Sequence, residues 1–291
     1  MKPNFQFGIF TKPIVFYILS SFCPSLCVIF LIPSSQTVQA IAALSRCVKL
    51  DPNNLAGLYM LGVAHSNNYN STASLHCLKS WLLANPAYHG ALDLQPLREY
   101  DELYGSDETA NSAAAAGGPL NMELHEVVTK LFVDATKANP QDAEVWTVVG
   151  LLYRLSSDFD QSIAAFREAI KLRPDDPQMW NKLGAMITNS GENSEEAIAA
   201  FNQAVRLHPK YVRALSNMGV CYYNERQYEE SVDAFLRCLA INDEPTHLWG
   251  YIRMSLSKMG REDLALVARE QNVELLQRHL YGDLRNNGGA A

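Results

Sequence analysis

The chain has 291 residues, of which 48% are hydrophobic and 19% charged, so it holds ample apolar material for a packed core and is not disordered throughout. A net charge of −7 supplies no positive field for phosphates and excludes a general nucleic-acid binder. The six cysteines are scattered without a Cys-x-x-Cys, so neither a zinc ribbon nor a disulfide framework is expected, and neither a metal nor a cofactor.

Residues 1–36 differ in character from the rest of the chain. The run IVFYILSSFCPSLCVIFLI, Ile14 to Ile32, is 19 residues without a charge, just long enough to cross a bilayer. Pro24 falls in its middle and would cost a helix one hydrogen bond. Three readings of this apolar lead segment stand open: a membrane anchor, a long signal peptide, or a mis-joined start outside the working protein.

The body is a repeat. Prolines at 52, 86, 140, 174 and 209 are spaced by 34, 54, 34 and 35 residues, so one unit carries an insertion of 20. Eight residues before each stands a bulky apolar residue: Leu44, Leu78, Phe132, Phe166 and Phe201. Five before each stands Cys47, Trp81, Ala135, Ala169 or Ala204, and a further unit comes next with Phe235 and Cys238. Upstream within the units lies an apolar-Gly pair: Leu61-Gly62, Val149-Gly150, Leu183-Gly184 and Met218-Gly219.

This is the tetratricopeptide pattern, in which each unit of 34 residues is a pair of antiparallel helices, A and B. The glycine predicts a flat spot on helix A where helix B crosses closely, and the small residues five before the proline a similar spot on helix B. The fold class is therefore all-α, a tetratricopeptide superhelix with a hinge and a C-terminal helical cap. Residues 37–99 form one arm and 121–245 the other. Residues 100–120, with their Ala run and Gly-Gly-Pro, read as a flexible hinge. Residues 246–291 lose the repeat but keep helical apolar spacing and read as the cap.

The A helices line the inner side of such a superhelix. Their inward slots hold Gln178, Asn181, Lys182, Thr188 and Asn189 in one unit and Arg213, Ser216, Asn217, Val220 and Asn224 in the next. Glu144, Thr147, Leu151 and Arg154 fill them in the 143–174 unit, and Tyr59, Val63, Ser66 and Asn67 in the 55–86 unit. Asn67, Asn189 and Asn224 share slot thirteen. One reading is helix C-capping, where Asn tolerates left-handed geometry. It does not account for Asn181 and Asn217, which lie within their helices and are mediocre helix formers. The other reading is recognition of a peptide backbone, since an amide both donates and accepts. Lys182 and Arg213 add positive charge suited to a carboxylate, most simply a free C-terminus. No phosphate loop, nucleophile elbow or His-Glu-x-x-His occurs, and the chain is not expected to be an enzyme.

The runs LSRCVKLDPNN (44–54), WNKLGAMITNSGENSEEAIAAFNQAVRLHPKYVRALSNMGVCYYN (180–224) and LWGYIRMSLSKMGR (248–261) carry a resemblance to a family. From about residue 37 to 275 the chain resembles the tetratricopeptide domain of the peroxisomal targeting signal type 1 receptors. The resemblance implies a receptor, cycling between cytosol and peroxisome, for cargo proteins ending in a Ser-Lys-Leu-like tripeptide. It implies that Asn67, Asn181, Asn217 and Asn224 hold the tripeptide backbone while Lys182 and Arg213 help place its carboxylate. Docking proteins at the peroxisomal membrane are implied partners, yet none of Trp81, Trp146, Trp180 and Trp249 begins the family's Trp-x-x-x-Phe/Tyr docking motif. Two alternatives remain: a co-chaperone gripping the acidic C-terminal tail of a heat-shock chaperone, and a scaffold anchored to a membrane through residues 14–32.

Overall fold

The structure is a computed structural model and describes residues 37–104 and 121–287, apart from Glu192 and Glu244. Its regular elements are all helical. Helix α1 (Thr37–Leu50) is a lone B helix. The pair α2 (Leu55–Asn67) and α3 (Ser71–Ala84) comes after it, then α4 (Gln95–Tyr104) and α5 (Met122–Ala138). Three regular A–B pairs come next: α6 (Ala143–Leu155) with α7 (Phe159–Leu172), α8 (Pro177–Ser190) with α9 (Ser194–Leu207), and α10 (Val212–Asn224) with α11 (Tyr228–Ile241). The chain closes with α12 (Leu248–Lys258), α13 (Glu262–Val267) and α14 (Val273–Asn287).

The helix starts are written in the sequence. Asn54, Asn70, Asn121, Asp142, Asp158, Asp176 and Asn193 each precede a helix, and each side chain accepts a backbone N–H of the first turn. Such a cap contributes about 1 kcal/mol against alanine.

Close crossing of A on B explains the glycines. A Cβ on Gly62 would lie 2.9 Å from Leu78, and one on Gly150, Gly184 or Gly219 would lie 2.7–2.9 Å from the ring of Phe166, Phe201 or Phe235. The bulky residue of helix B thus rests on the bare backbone of helix A. Beside it runs a bond that the spacing does not predict. The hydroxyls of Ser74, Ser162 and Ser231 donate to the carbonyls of Gly62, Gly150 and Gly219 at 2.8, 2.7 and 2.9 Å. The 177–209 unit is one residue longer here and has Ala197 in that place. Its Gly184 carbonyl accepts from Thr188 Oγ1 instead, at 2.9 Å.

The A–B turns share one backbone shape. The residue two past slot thirteen is left-handed in all four regular A–B pairs: Tyr69 (φ 59°), Ser157 (φ 60°), Gly191 (φ 75°) and Arg226 (φ 61°). In three of them the next N–H reaches back five residues: Asn70 to His65, Asp158 to Tyr153 and Gln227 to Tyr222. The left-handed residue is therefore not the asparagine of slot thirteen, and the C-capping reading of Asn67, Asn189 and Asn224 is corrected. Asn67, Asn189 and Asn224 still lie within their helices.

The two arms pack directly on one another. Helix α5 lies against both α3 and α6, and α2 touches α6. Trp81 stacks on Phe132 at 5.7 Å and 20°, and the Tyr88 hydroxyl donates to Asp142 Oδ2 at 2.7 Å. Tyr59 of α2 is buried. One hydrophobic core runs from Leu58 to Leu276 through this junction. Helix α4 continues through Tyr104, so the boundary expected at 99/100 falls inside a helix; it is held to α3 by the buried Lys79, which pairs with Asp101. Residues 105–120, the rest of the expected hinge, lie outside the described residues.

At the other end α12, α13, a 3₁₀ turn (Ala268–Glu270) and α14 bury Trp249, Ile252, Leu264 and Leu276, with α12 and α14 both against α11. Among the described residues no helix is long and apolar enough to cross a membrane; residues 14–32 lie outside them.

Candidate peptide-binding site

A helices of different repeats touch one another, α2 with α6 and α8 with α10. Between α6 and α8 the Thr147 hydroxyl lies 3.2 Å from Met179 Sδ. This layer brings together the polar residues singled out in the sequence.

Asn181 sits in the first turns of α8, only 5% exposed, and Asn217 in the middle of α10. The Asn217 Nδ2 donates to Asn181 Oδ1 at 3.1 Å. Both residues fill inward slots of the repeat, slot five on α8 and slot six on α10. The pair leaves the Asn181 amide group and the Asn217 carbonyl for other partners. It can thus offer a donor and an acceptor side by side.

Lys182, the next residue, is partly buried. Burial drives its ammonium down to about 8; Asp176 pulls the other way, and Arg213 and Arg154 add to the fall. Arg213, partly buried, lies one helix along on α10. Among the described residues neither Lys182 nor Arg213 makes an ion pair, whereas Arg167, Lys171 and Arg173 pair with Glu196, Glu168 and Glu144. The site therefore carries net positive charge in an acidic chain.

Asn224 ends α10 two turns beyond Asn217 on the same face and is exposed. Asn67 ends α2 and is half-buried beside Ser66, which Arg154 of α6 binds. Asn181, Lys182, Arg213 and Asn217 are thus gathered on α8 and α10. Asn67 stands on the other arm, at the α2–α6 junction. Arg154 belongs to this neighbourhood and was not among the residues singled out for peptide contact. Its slot, one before the Asn slot of the neighbouring units, was the available signal. His65, three residues after Gly62 on α2, has its pKa lowered by burial, which suits a packed neutral ring.

The comparisons with known proteins agree with this fold. A family described as the cytochrome c-type biogenesis protein H TPR domain matches residues 134–245. The peroxisomal targeting signal receptor of Yarrowia lipolytica is 35% identical over 240 residues, which is 77% of this chain and 37% of the relative. The peroxisomal targeting signal 1 receptor of Dictyostelium discoideum is 35% identical over 258 residues, 80% of this chain and 40% of the relative. Among solved structures, MamA is 17% identical with a TM-score of 0.49, covering 54% of this chain and 91% of that one. The chain thus spans about two fifths of the length of these two curated relatives. They are named as targeting-signal receptors, a non-enzymatic role, and the repeat is a protein-interaction fold. The chain is a tetratricopeptide-repeat protein whose repeat region is that of the peroxisomal targeting signal receptors.

Proposed function

We propose that the inner layer of A helices binds the C-terminal tripeptide of cargo proteins bearing a Ser-Lys-Leu-like signal, for import into the peroxisome. Asn181, Asn217, Asn224 and Asn67 hold the peptide backbone, and Lys182 and Arg213 receive the terminal carboxylate. What supports this reading most is the bonded pair Asn181–Asn217, flanked by two cations without carboxylate partners. An extended peptide presents N–H and C=O groups that such a pair satisfies without regard to side chains. A charge-assisted contact adds roughly 1.5–3 kcal/mol and a neutral one about 0.5–1.5. Five or six of them, less the ordering cost, suit a complex between about nanomolar and micromolar. The names of the relatives support a peroxisomal role, with cycling between cytosol and peroxisome and docking proteins at its membrane as the accompanying partners.

Fluorescence anisotropy tests it. A labelled peptide ending in Ser-Lys-Leu is expected to bind, and its C-terminally amidated form is expected to bind at least tenfold more weakly. Equal affinity of the two forms would remove the carboxylate from the site.

A further inference from the structure

We infer that Arg154 is the third cation of this site, the Nη2 of its guanidinium clasping Ser66 and its remaining N–H groups taking the peptide carboxylate. The inference rests on the free-C-terminus reading above and adds a residue to it.

Arg154 lies in the last turn of α6. Its Nη2 donates to the Ser66 carbonyl at 2.8 Å and to the Ser66 hydroxyl, across 88 positions of sequence. Ser66 is 1% exposed and immediately precedes Asn67. The clasp therefore ties the end of α2 to the second arm at the point where Asn67 stands.

Both acceptors on Ser66 are neutral. Arg154 is partly buried, and burial pulls its pKa down. Among the described residues it makes no ion pair, and its Nε and Nη1 carry no bond. A guanidinium has five N–H donors, so three remain for a ligand. A partly desolvated cation without a counter-ion is costly, and an incoming carboxylate removes that cost while gaining a charge-assisted contact at Nη1 or Nε.

Its placement fits. Arg154, Lys182 and Arg213 stand on α6, α8 and α10, the three successive A helices of the second arm, and Lys182 feels the charge of both guanidiniums. Asp176 is the acidic group that acts on Lys182. The three cations thus share one electrostatic neighbourhood. Because the same guanidinium holds α2, an anion bound there also fixes Asn67 in register with Asn181 and Asn217. The backbone-holding residues of the two arms are then brought to bear on one peptide.

The experiment uses the full chain with Arg154→Gln, Arg154→Lys and Ser66→Ala, and free-acid and amidated Ser-Lys-Leu peptides at several salt concentrations. Arg154→Gln is expected to weaken the free acid at least tenfold, to weaken the amide much less and to flatten the salt dependence. Arg154→Lys, which keeps the charge but not the fork, recovers part of the loss. Ser66→Ala, which spares the charge and the carbonyl acceptor, costs less than Arg154→Gln. Thermal melts monitored by circular dichroism identify any variant that fails to fold, in which case Arg154→Lys carries the comparison. Wild-type affinity of Arg154→Gln for the free acid would overturn the inference. So would an equal loss for both peptides, which marks a clasp without ligand contact. If the wild type itself does not distinguish acid from amide, the fault lies in the free-C-terminus reading, and the third cation falls with it.

Discussion

Asn217 donates from Nδ2 to Oδ1 of Asn181 at 3.1 Å, across the seam between α10 and α8. The bond orients both amides, so the groups that remain are fixed before any ligand arrives. Preorganisation of this kind lowers the ordering cost of binding.

Asn217→Ala removes one half of that pair and leaves the side-chain carbonyl of buried Asn181 without its donor. Peptide affinity is expected to fall by about 1–3 kcal/mol, measured by anisotropy titration. Unchanged affinity would mean that the pair serves only to join the two helices.

Binding is expected to weaken as pH rises through about 8, where Lys182 loses its proton. A bound carboxylate favours the charged ammonium, so the complex takes up a proton on the alkaline side. The slope approaches about tenfold in affinity per pH unit above that point. Titrations from pH 6.5 to 9.5 measure it, and Lys182→Met should flatten the curve over the same range.

The same lysine burdens the fold. Its pKa is about 8 in the native chain against 10.5 unfolded, so between these values the unfolded chain binds more protons and native stability rises with pH. Below 8 the full penalty of a desolvated charge is present. Lys182→Met is therefore expected to unfold later than wild type at pH 7, by about 1–3 kcal/mol in urea, while losing peptide affinity. The stability gap should close as pH approaches 10. A less stable variant at pH 7 would contradict the burial of that charge.

Gly219→Ala should destabilise the 212–243 unit, because its Cβ would meet the Phe235 ring at 2.7 Å. Overpacking of this kind costs about 1–3 kcal/mol, read from the urea midpoint. The double variant with Phe235→Leu should recover part of the loss.

Much of this architecture was legible in the order of residues. Prolines at a fixed interval located the turns, the apolar-Gly pairs located the helix crossings, and the register placed Asn181 and Asn217 on inward slots of neighbouring A helices. Such features repeat, and repetition averages out local noise. Most of what was missed does not repeat. The Arg154–Ser66 clasp joins residues 88 apart across an interrupted unit, and no period connects them. The direct seating of α2 on α6 was hidden for the same reason, since an insertion between two arms reads as separation in sequence. The serine bonded to the glycine carbonyl does repeat, at an interval of 12, but a single small polar residue on a B helix gives little signal without the backbone in view. The C-capping reading of slot thirteen failed by two residues, because the chain stays helical through the asparagine and turns left-handed only afterwards.

That left-handed point is filled by Tyr69, Ser157, Gly191 and Arg226: an aromatic, a hydroxyl, a bare backbone and a cation on one and the same bend. Three of the four accept the steric toll that glycine avoids, roughly 1–2 kcal/mol apiece. The scaffold thus tolerates unlike chemistries at these bends, so they can be varied one helix pair at a time while the A helices that carry Asn181 and Asn217 stay as they are.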